Sequence, residues 1–241
     1  LKNENGVNWA SHYYDIHFKS LKGLQEKQSG KLKLIDSAPI FKKIISFIKE
    51  NNLENHKNTY IIQLGSSSGQ DIVFFLNQFP NLNYISTDIN KEILDFQKKK
   101  YNYSNLKFFQ CYAEEIEKCI NEFNISNKNL IIFSDGSLQY VNPFFLDEFF
   151  LKIKNYKMLN LFISEPVNLK FYYNEKNLMS KSRTNISFSH RYDDYAKKSK
   201  NNIIENLLIE PYSKDDEHGE VGSSYLHVSS IDKDETRNMI D

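Results

Sequence analysis

Cysteine is scarce in this chain: Cys111 and Cys119 are the only two in 241 residues. Two thiols eight positions apart cannot build a disulfide framework or, on their own, a zinc site. They read as a strand end and a helix position, and a reducing compartment is the expectation. An excess of charge is also missing, since Lys plus Arg and Asp plus Glu both number 31 and the net charge is zero. A nucleic-acid binder ordinarily carries a basic excess or a basic face, so no nucleic-acid partner is expected. The Lys runs at 98–100 and 197–200 read as solvated helix ends. No apolar run approaches the roughly 18 residues that a bilayer span requires. No signal-peptide pattern is seen, although the chain starts at Leu1 rather than Met. These absences point to a cytoplasmic protein with no membrane partner, and they leave a homo-oligomer open. Neither an internal repeat nor a linker rich in Pro, Gly and Ser occurs. H-E-x-x-H, C-x-x-C and clustered-carboxylate patterns are lacking, and His218 and His227 find no companion ligands, so no metal is expected.

What the chain has is apolar mass. Apolar residues make up 40%, including 18 Phe and 15 Tyr, enough for the core of one sizeable α/β domain. Residues 1–58 read as an N-terminal helical cap that covers a substrate. Its first part is polar and aromatic by turns, with W-A-S-H-Y-Y-D-I-H-F at 9–18. Its second part is a helix, because Ile40, Phe41, Ile44, Ile45, Phe47 and Ile48 recur at helical spacing and Pro39 suits a first turn. Residues 59–241 read as the main domain. Strands are predicted at 60–64, 82–87, 106–110, 130–134 and 158–164. Helices are predicted at 70–79, 90–100, 113–123 and 143–155, with Asn90 as an N-cap. An insertion at 166–200, rich in Tyr, Lys and Ser, breaks the alternation. Two more strands, at 203–209 and 224–230, are joined briefly enough to pair antiparallel. The fold class is therefore α/β: a doubly wound, seven-stranded, mostly parallel sheet closed by an antiparallel C-terminal hairpin.

Chemistry concentrates at one sheet edge. Gly65 ends the first strand and Gly69 opens the next helix, with Ser66, Ser67 and Ser68 between. Glycines permit positive φ and close approach of a ligand to the backbone. A helix N-terminus and turn N–H groups favour an anionic or strongly polar group. Asp88 follows Gly69 by 19 residues, at the end of the second strand, where a carboxylate can take both hydroxyls of a ribose. Ala113 and Glu114 follow the third strand, and S-D-G-S-L-Q-Y at 134–140 follows the fourth.

These segments resemble the class I S-adenosylmethionine-dependent methyltransferases, over roughly residues 60–165. Q-L-G-S-S-S-G stands where that family has an acidic residue and then G-x-G-x-G. S-T-D-I-N, C-Y-A-E-E, F-S-D-G-S-L-Q-Y-V-N-P and L-F-I-S-E-P match the segments that follow. The resemblance implies S-adenosylmethionine as cofactor. It places Gly65, Ser66, Ser67 and Gly69 along the methionine moiety, with Gln63 at the family's acidic position. It places Asp88 on the ribose, Ile89 against the adenine, Ala113 and Glu114 near the adenine amino group, and Ser134 and Asp135 beneath the sulfonium. Two departures stand out: Gln63 carries no charge for the cofactor's ammonium, and Ser67 replaces the middle glycine.

In such a fold the acceptor pocket is built from the flanking segments. Tyr13 and Tyr14 of the N-terminal segment are expected against the cofactor. His190, in a Ser/His/Arg/Tyr cluster of the insertion, is the first candidate for a catalytic base. An N/D-P-P-[FYW] loop is not found after the fourth strand, which favours a small-molecule or saccharide-type acceptor methylated on O or N. Two alternatives remain open: a binding protein that keeps the fold without turnover, and a nicotinamide-dependent oxidoreductase, which would need G-x-G-x-x-G.

Overall fold

The computed structural model describes residues 39–184, 186–215 and 219–230. The chain divides into two compact units, Leu1–Tyr112 and Ala113–Asp241. Most of the cap expected at residues 1–58, with Tyr13 and Tyr14, lies outside the described residues.

The first unit comprises α1 (Pro39–Glu50), β1 (Thr59–Leu64), α2 (Gln70–Gln78), β2 (Asn83–Asp88), α3 (Lys91–Lys100) and β3 (Leu106–Gln110). Its three strands are parallel, with Gln63 opposite Ser86 and Asp88 opposite Gln110. Parallel register brings the ends of all three strands to one edge, which is where the glycine turn and Asp88 emerge. Helix α1 forms because its apolar residues keep a 3.6 period: Ile40, Phe41, Ile44 and Ile48 are buried. Phe41 stacks on Phe75 at 5.3 Å between ring centroids and meets Phe74 edge-on at 5.7 Å. Helix α3 starts at Asn90, whose side chain accepts from the Glu92 N–H, and ends on Lys98, Lys99 and Lys100, which suit the negative end of the helix dipole.

The second unit opens with a 3₁₀ turn at Ala113–Glu115, then α4 (Ile116–Glu122), β4 (Asn129–Asp135) and a second 3₁₀ turn at Leu138–Tyr140. It continues with α5 (Pro143–Ile153), β5 (Leu159–Asn168), α6 (Leu169–Asn174), β6 (Ser180–Ser182), β7 (Phe188–His190) and α7 (Tyr192–Lys198). It ends with the antiparallel pair β8 (Asn202–Asp215) and β9 (Gly219–Ser229). Strand β4 is parallel to β5, and β9 lies antiparallel along all of β5 from Asn160↔Ser229 to Asn168↔Val221.

The strand order of the seven-stranded sheet is β3-β2-β1-β4-β5-β9-β8. A nicotinamide-type Rossmann sheet is parallel to its last strand. Here β9 runs antiparallel between β5 and β8.

Several boundaries differ from the sequence reading, and two of the differences have evident physical reasons. The helix expected at 113–123 begins as a 3₁₀ turn, because Glu114 and Glu115 occupy a tight turn at its start. Strand β5 runs four residues past its expected end, because β9 keeps pairing with it. The segment at 166–200 completes β5 and then folds into α6, the small β6–β7 hairpin and α7.

Packing in the first unit also uses polar bonds at helix ends. The buried Tyr84 hydroxyl lies 3.0 Å from the Phe75 carbonyl and 2.7 Å from that of Phe79, at the end of α2. It adds a side-chain donor to carbonyls that also accept the Phe79 and Leu82 N–H groups. Tyr84→Phe keeps the ring and removes the donor, so the expected loss is about 1–2 kcal/mol in denaturant unfolding. An unchanged midpoint would show that the backbone N–H groups of Phe79 and Leu82 suffice for these carbonyls.

Candidate cofactor site and its surroundings

The turn between β1 and α2 is built from left-handed backbone. Gly65, Ser67 and Gly69 have φ of 64°, 52° and 75°. Gly69 is glycine for two reasons. Its φ suits no side chain well, and an added Cβ would sit 2.9 Å from Gln97 and Tyr101 atoms. Ser67 adopts the same region with a side chain, at an expense of about 1–2 kcal/mol that its surroundings must offset.

Those surroundings are a hydrogen-bonded frame. The Ser66 N–H donates to the Thr87 carbonyl at 2.8 Å. The Ser67 N–H donates to Asp88 Oδ2 at 3.0 Å, and the Asn90 N–H to Asp88 Oδ1 at 2.9 Å. From α3, the Gln97 amide donates to Ser66 Oγ at 2.8 Å and to the Ser67 carbonyl at 2.7 Å. Gln97 in turn accepts from Ser86 Oγ at 2.6 Å, and the Tyr101 hydroxyl donates to the Ser68 carbonyl at 3.1 Å. The structure thus brings Gly65, Ser66, Ser67, Gly69 and Asp88 into one arrangement. Ile89, half-buried, follows directly.

Asp88 is nearly buried, and burial raises its carboxyl from 3.8 to about 6, against the lowering by N–H groups of Asn90, Ser67 and Ile89. A carboxylate offers about four acceptor positions. Three backbone donors leave room for about one ligand hydroxyl, narrower than the two-hydroxyl grip read from the sequence.

Gln63 is buried at the end of β1, and its amide donates to Asp71 Oδ2 at 3.0 Å. Asp71 is itself buried in the first turn of α2. The position that lacks charge in the sequence is therefore hydrogen-bonded to a carboxylate eight residues on. Sequence reading passed over Asp71 and Gln97; their only signal is a polar residue at a buried helical position.

In the second unit, Ala113 and Glu114 form the 3₁₀ turn at its start, both half-buried. Burial, and then the neighbouring Glu115, raise the Glu114 carboxyl, while a backbone hydrogen bond and Lys152 act the other way. Asp135 ends β4, half-buried. Ser134 is fully buried, and its hydroxyl donates to Glu165 Oε1 at 2.5 Å. Glu165, on β5, organises the loop after β4. Its Oε1 also accepts from the Ser137 and Leu138 N–H groups, both at 2.9 Å, and its Oε2 from the Gln139 N–H at 3.1 Å. Burial pushes the Glu165 carboxyl up to about 7 in spite of these donors. Sequence reading missed it, although one acidic residue in the apolar run L-F-I-S-E-P was a signal.

His190, the expected base, is fully buried. Its Nδ1 lies 2.6 Å from Ser180 Oγ, and its ring is flanked by Phe188, Tyr192 and Tyr195 at 5.3–6.2 Å between centroids. Burial lowers its pKa to about 3, outweighing the Val141 carbonyl. Such a ring is packed within the insertion and has no exposed face. Arg191 likewise serves the fold: its guanidinium donates to the Leu178, Phe171 and Tyr172 carbonyls and lies over the Phe171 and Tyr172 rings. His227 stacks on Phe162 at 4.0 Å, with Nε2 3.1 Å from Asn160 Oδ1. Cys111 and Cys119 are buried and not disulfide-bonded.

No protein-family model and no curated protein sequence matches the chain. Solved structures do. A putative sarcosine dimethylglycine methyltransferase from Galdieria sulphuraria is similar at TM-score 0.59 and 9% identity, over 94% of this chain and 99% of that one. A SAM-dependent methyltransferase from Anabaena variabilis is similar at TM-score 0.52 and 11% identity, over 80% and 85%. A geranyl diphosphate methyltransferase in complex with SAM is similar at TM-score 0.52 and 8% identity, over 73% and 80%. At such identities the likeness is one of fold, and the chain has the class I methyltransferase fold.

Two predictions follow from the buried groups. In NMR titration the His190 ring stays neutral from pH 8 down to pH 5, because its folded pKa lies well below the ordinary 6.5; an inflection near 6.5 would put the ring in water. Glu165→Gln replaces an acceptor oxygen with an amide that faces backbone donors, and is expected to lose about 2–3 kcal/mol of stability. The loss should be smaller at neutral pH than at pH 5. The folded carboxyl titrates near 7, above the ordinary 4.5, so the wild-type group's contribution falls as pH rises across that window. A pH-independent loss would contradict the raised carboxyl.

Proposed function

We propose that the chain is an S-adenosylmethionine-dependent methyltransferase that acts on O or N of a small-molecule or saccharide-type acceptor. One observation carries this reading. A turn of three left-handed residues is tied by the Ser67 N–H to the carboxylate at the end of the next strand. That arrangement suits an amino-acid tail along the turn and a ribose hydroxyl at Asp88. Class I methyltransferase fold and the family-like segments in the sequence support it further.

Bound there, the cofactor would supply an electrophilic methyl group on a sulfonium. Everything else falls to the chain. The backbone of Gly65, Ser66, Ser67 and Gly69 would line the methionine moiety, and Asp88 would accept from the ribose. Gln63, whose amide donates to Asp71, would lie nearest the ammonium, with the Asp71 carboxylate behind it. Ile89 gives the adenine an apolar face. From the resemblance, Ala113 and Glu114 serve the adenine amino group and Asp135 the sulfonium side. Ser134 is assigned to shaping its own loop through Glu165, and His190 to the packing of the insertion. Methyl transfer is an in-line displacement, so alignment and water exclusion carry most of the acceleration. An acceptor that is already nucleophilic needs no buried base.

Asp88 makes the reading testable. Its ionised form accepts a hydroxyl better than its neutral form, and its carboxyl titrates near 6. Affinity for S-adenosylhomocysteine in calorimetry is therefore expected to fall as pH drops from 7.5 to 5. Asp88→Asn should weaken binding by about 1–3 kcal/mol at pH 7.5 and flatten the pH dependence. Absence of heat at millimolar ligand, with the protein folded, would defeat the proposal.

A further inference from the structure

Beside β5, inside the second unit, lies a cleft of about 240 Å³ that the reading above leaves unused. Its walls come from α6 and the β6–β7 hairpin, and include Lys170, Phe171, Glu175, Lys181, Ser182 and Arg183. Three cations and one carboxylate line it, so its charge is positive. Lys181 is answered by Glu175 at 2.6 Å. Lys170 and Arg183 have no carboxylate partner among the described residues.

Arg183 is the informative member. Its Nη2 donates to Gln139 Oε1, a neutral acceptor, and its Nε is sealed from solvent without a hydrogen-bond partner. A guanidinium fork is shaped for two acceptor oxygens of a carboxylate or phosphate, and this one has a neutral amide. Desolvating such a donor without an anion is unfavourable. Gln139 is itself held: its amide donates to the Gly136 carbonyl at 2.8 Å, and its N–H to Glu165. Arg183 is thereby tied to the loop after β4, where the methyltransferase reading places the sulfonium side of the cofactor, from which the methyl group leaves for the acceptor.

We propose that this cleft binds the anionic group, carboxylate or phosphate, of the methyl acceptor, through Arg183 and Lys170. The substrate class narrows to small acids or phosphate esters that carry a separate O or N nucleophile. Pockets for whole drug-sized ligands run to about 300–1,000 Å³, so a cleft of about 240 Å³ suits a headgroup with the rest of the acceptor outside it. The assignment to an acceptor rests on the methyltransferase reading; the anion site itself does not.

Binding of inorganic phosphate and of acetate to the cofactor-free protein, followed by calorimetry and by ³¹P and ¹³C line broadening, tests the site. One of the two anions should bind at millimolar concentration or tighter, and which one does so separates phosphate esters from carboxylic acids. Lys170→Gln, on an exposed side chain, and Arg183→Gln should each weaken it about tenfold. Glu175→Gln frees Lys181 and should strengthen it. No binding of either anion by folded wild-type protein, or affinities unmoved by all three variants, would overturn the proposal. S-adenosylhomocysteine binding is measured in parallel. Its absence with anion binding intact would remove the methyltransferase reading, and with it the assignment to an acceptor.

Discussion

Each unit relies on a buried carboxylate that collects backbone N–H groups from a loop at the sheet edge. In the first it is Asp88, which gathers donors from the turn after β1 and from the start of α3. In the second it is Glu165, which gathers three N–H groups and a hydroxyl from the loop after β4. Loops at the edge of a parallel sheet carry backbone donors that no ladder satisfies. A single ionised side chain can answer several of them at once, and charge-assisted bonds are the strong ones. The same bonds fix loop shape and keep a negative charge where burial resists it. Both carboxyls titrate higher than usual for that reason.

Most of this fold was legible because its signals are local. The apolar run of β4 reads as a strand covered on both faces, and the spacing of Ile40, Phe41, Ile44 and Ile48 reads as a helix stripe. Asn90 as an N-cap is a one-residue signal, and its side chain accepts the Glu92 N–H as expected. The antiparallel ending followed from the short connection before β9. What escaped was long-range. That Gln97 on α3 would brace a turn some thirty residues earlier is a tertiary fact. The pairing of β9 with the whole of β5, which lengthened that strand, is another.

His190 shows the same limit from the other side. A histidine among Ser, Arg and Tyr looks like chemistry on paper, because those residue types also build catalytic clusters. Here the cluster closes on itself. Ser180 Oγ joins His190 to the Tyr195 hydroxyl at 2.6 Å, Tyr195 stacks on Phe150 of α5, and Lys198 meets Asp147 at 2.7 Å. Polar side chains fasten the insertion to the helix beside it, and apolar rings exclude water from the joint. The sequence cannot tell such a closed network from an open one, since both need the same residues and differ only in what they face.

The first unit's departures from the family pattern have a common physical reading. A charged residue at the end of β1 would sit beside Asp71, and two buried carboxylates at that distance would repel each other. Gln63 avoids this: it donates to Asp71, and one negative charge serves where two could not. Ser67 in a left-handed turn is a similar compromise, because its N–H must reach Asp88 and its carbonyl must reach Gln97. Those two bonds specify its backbone more tightly than the side chain's own preference does. Substitution at a motif position is thus compensated within the bonds of the same turn, so a loss of the consensus residues does not by itself amount to a loss of the site.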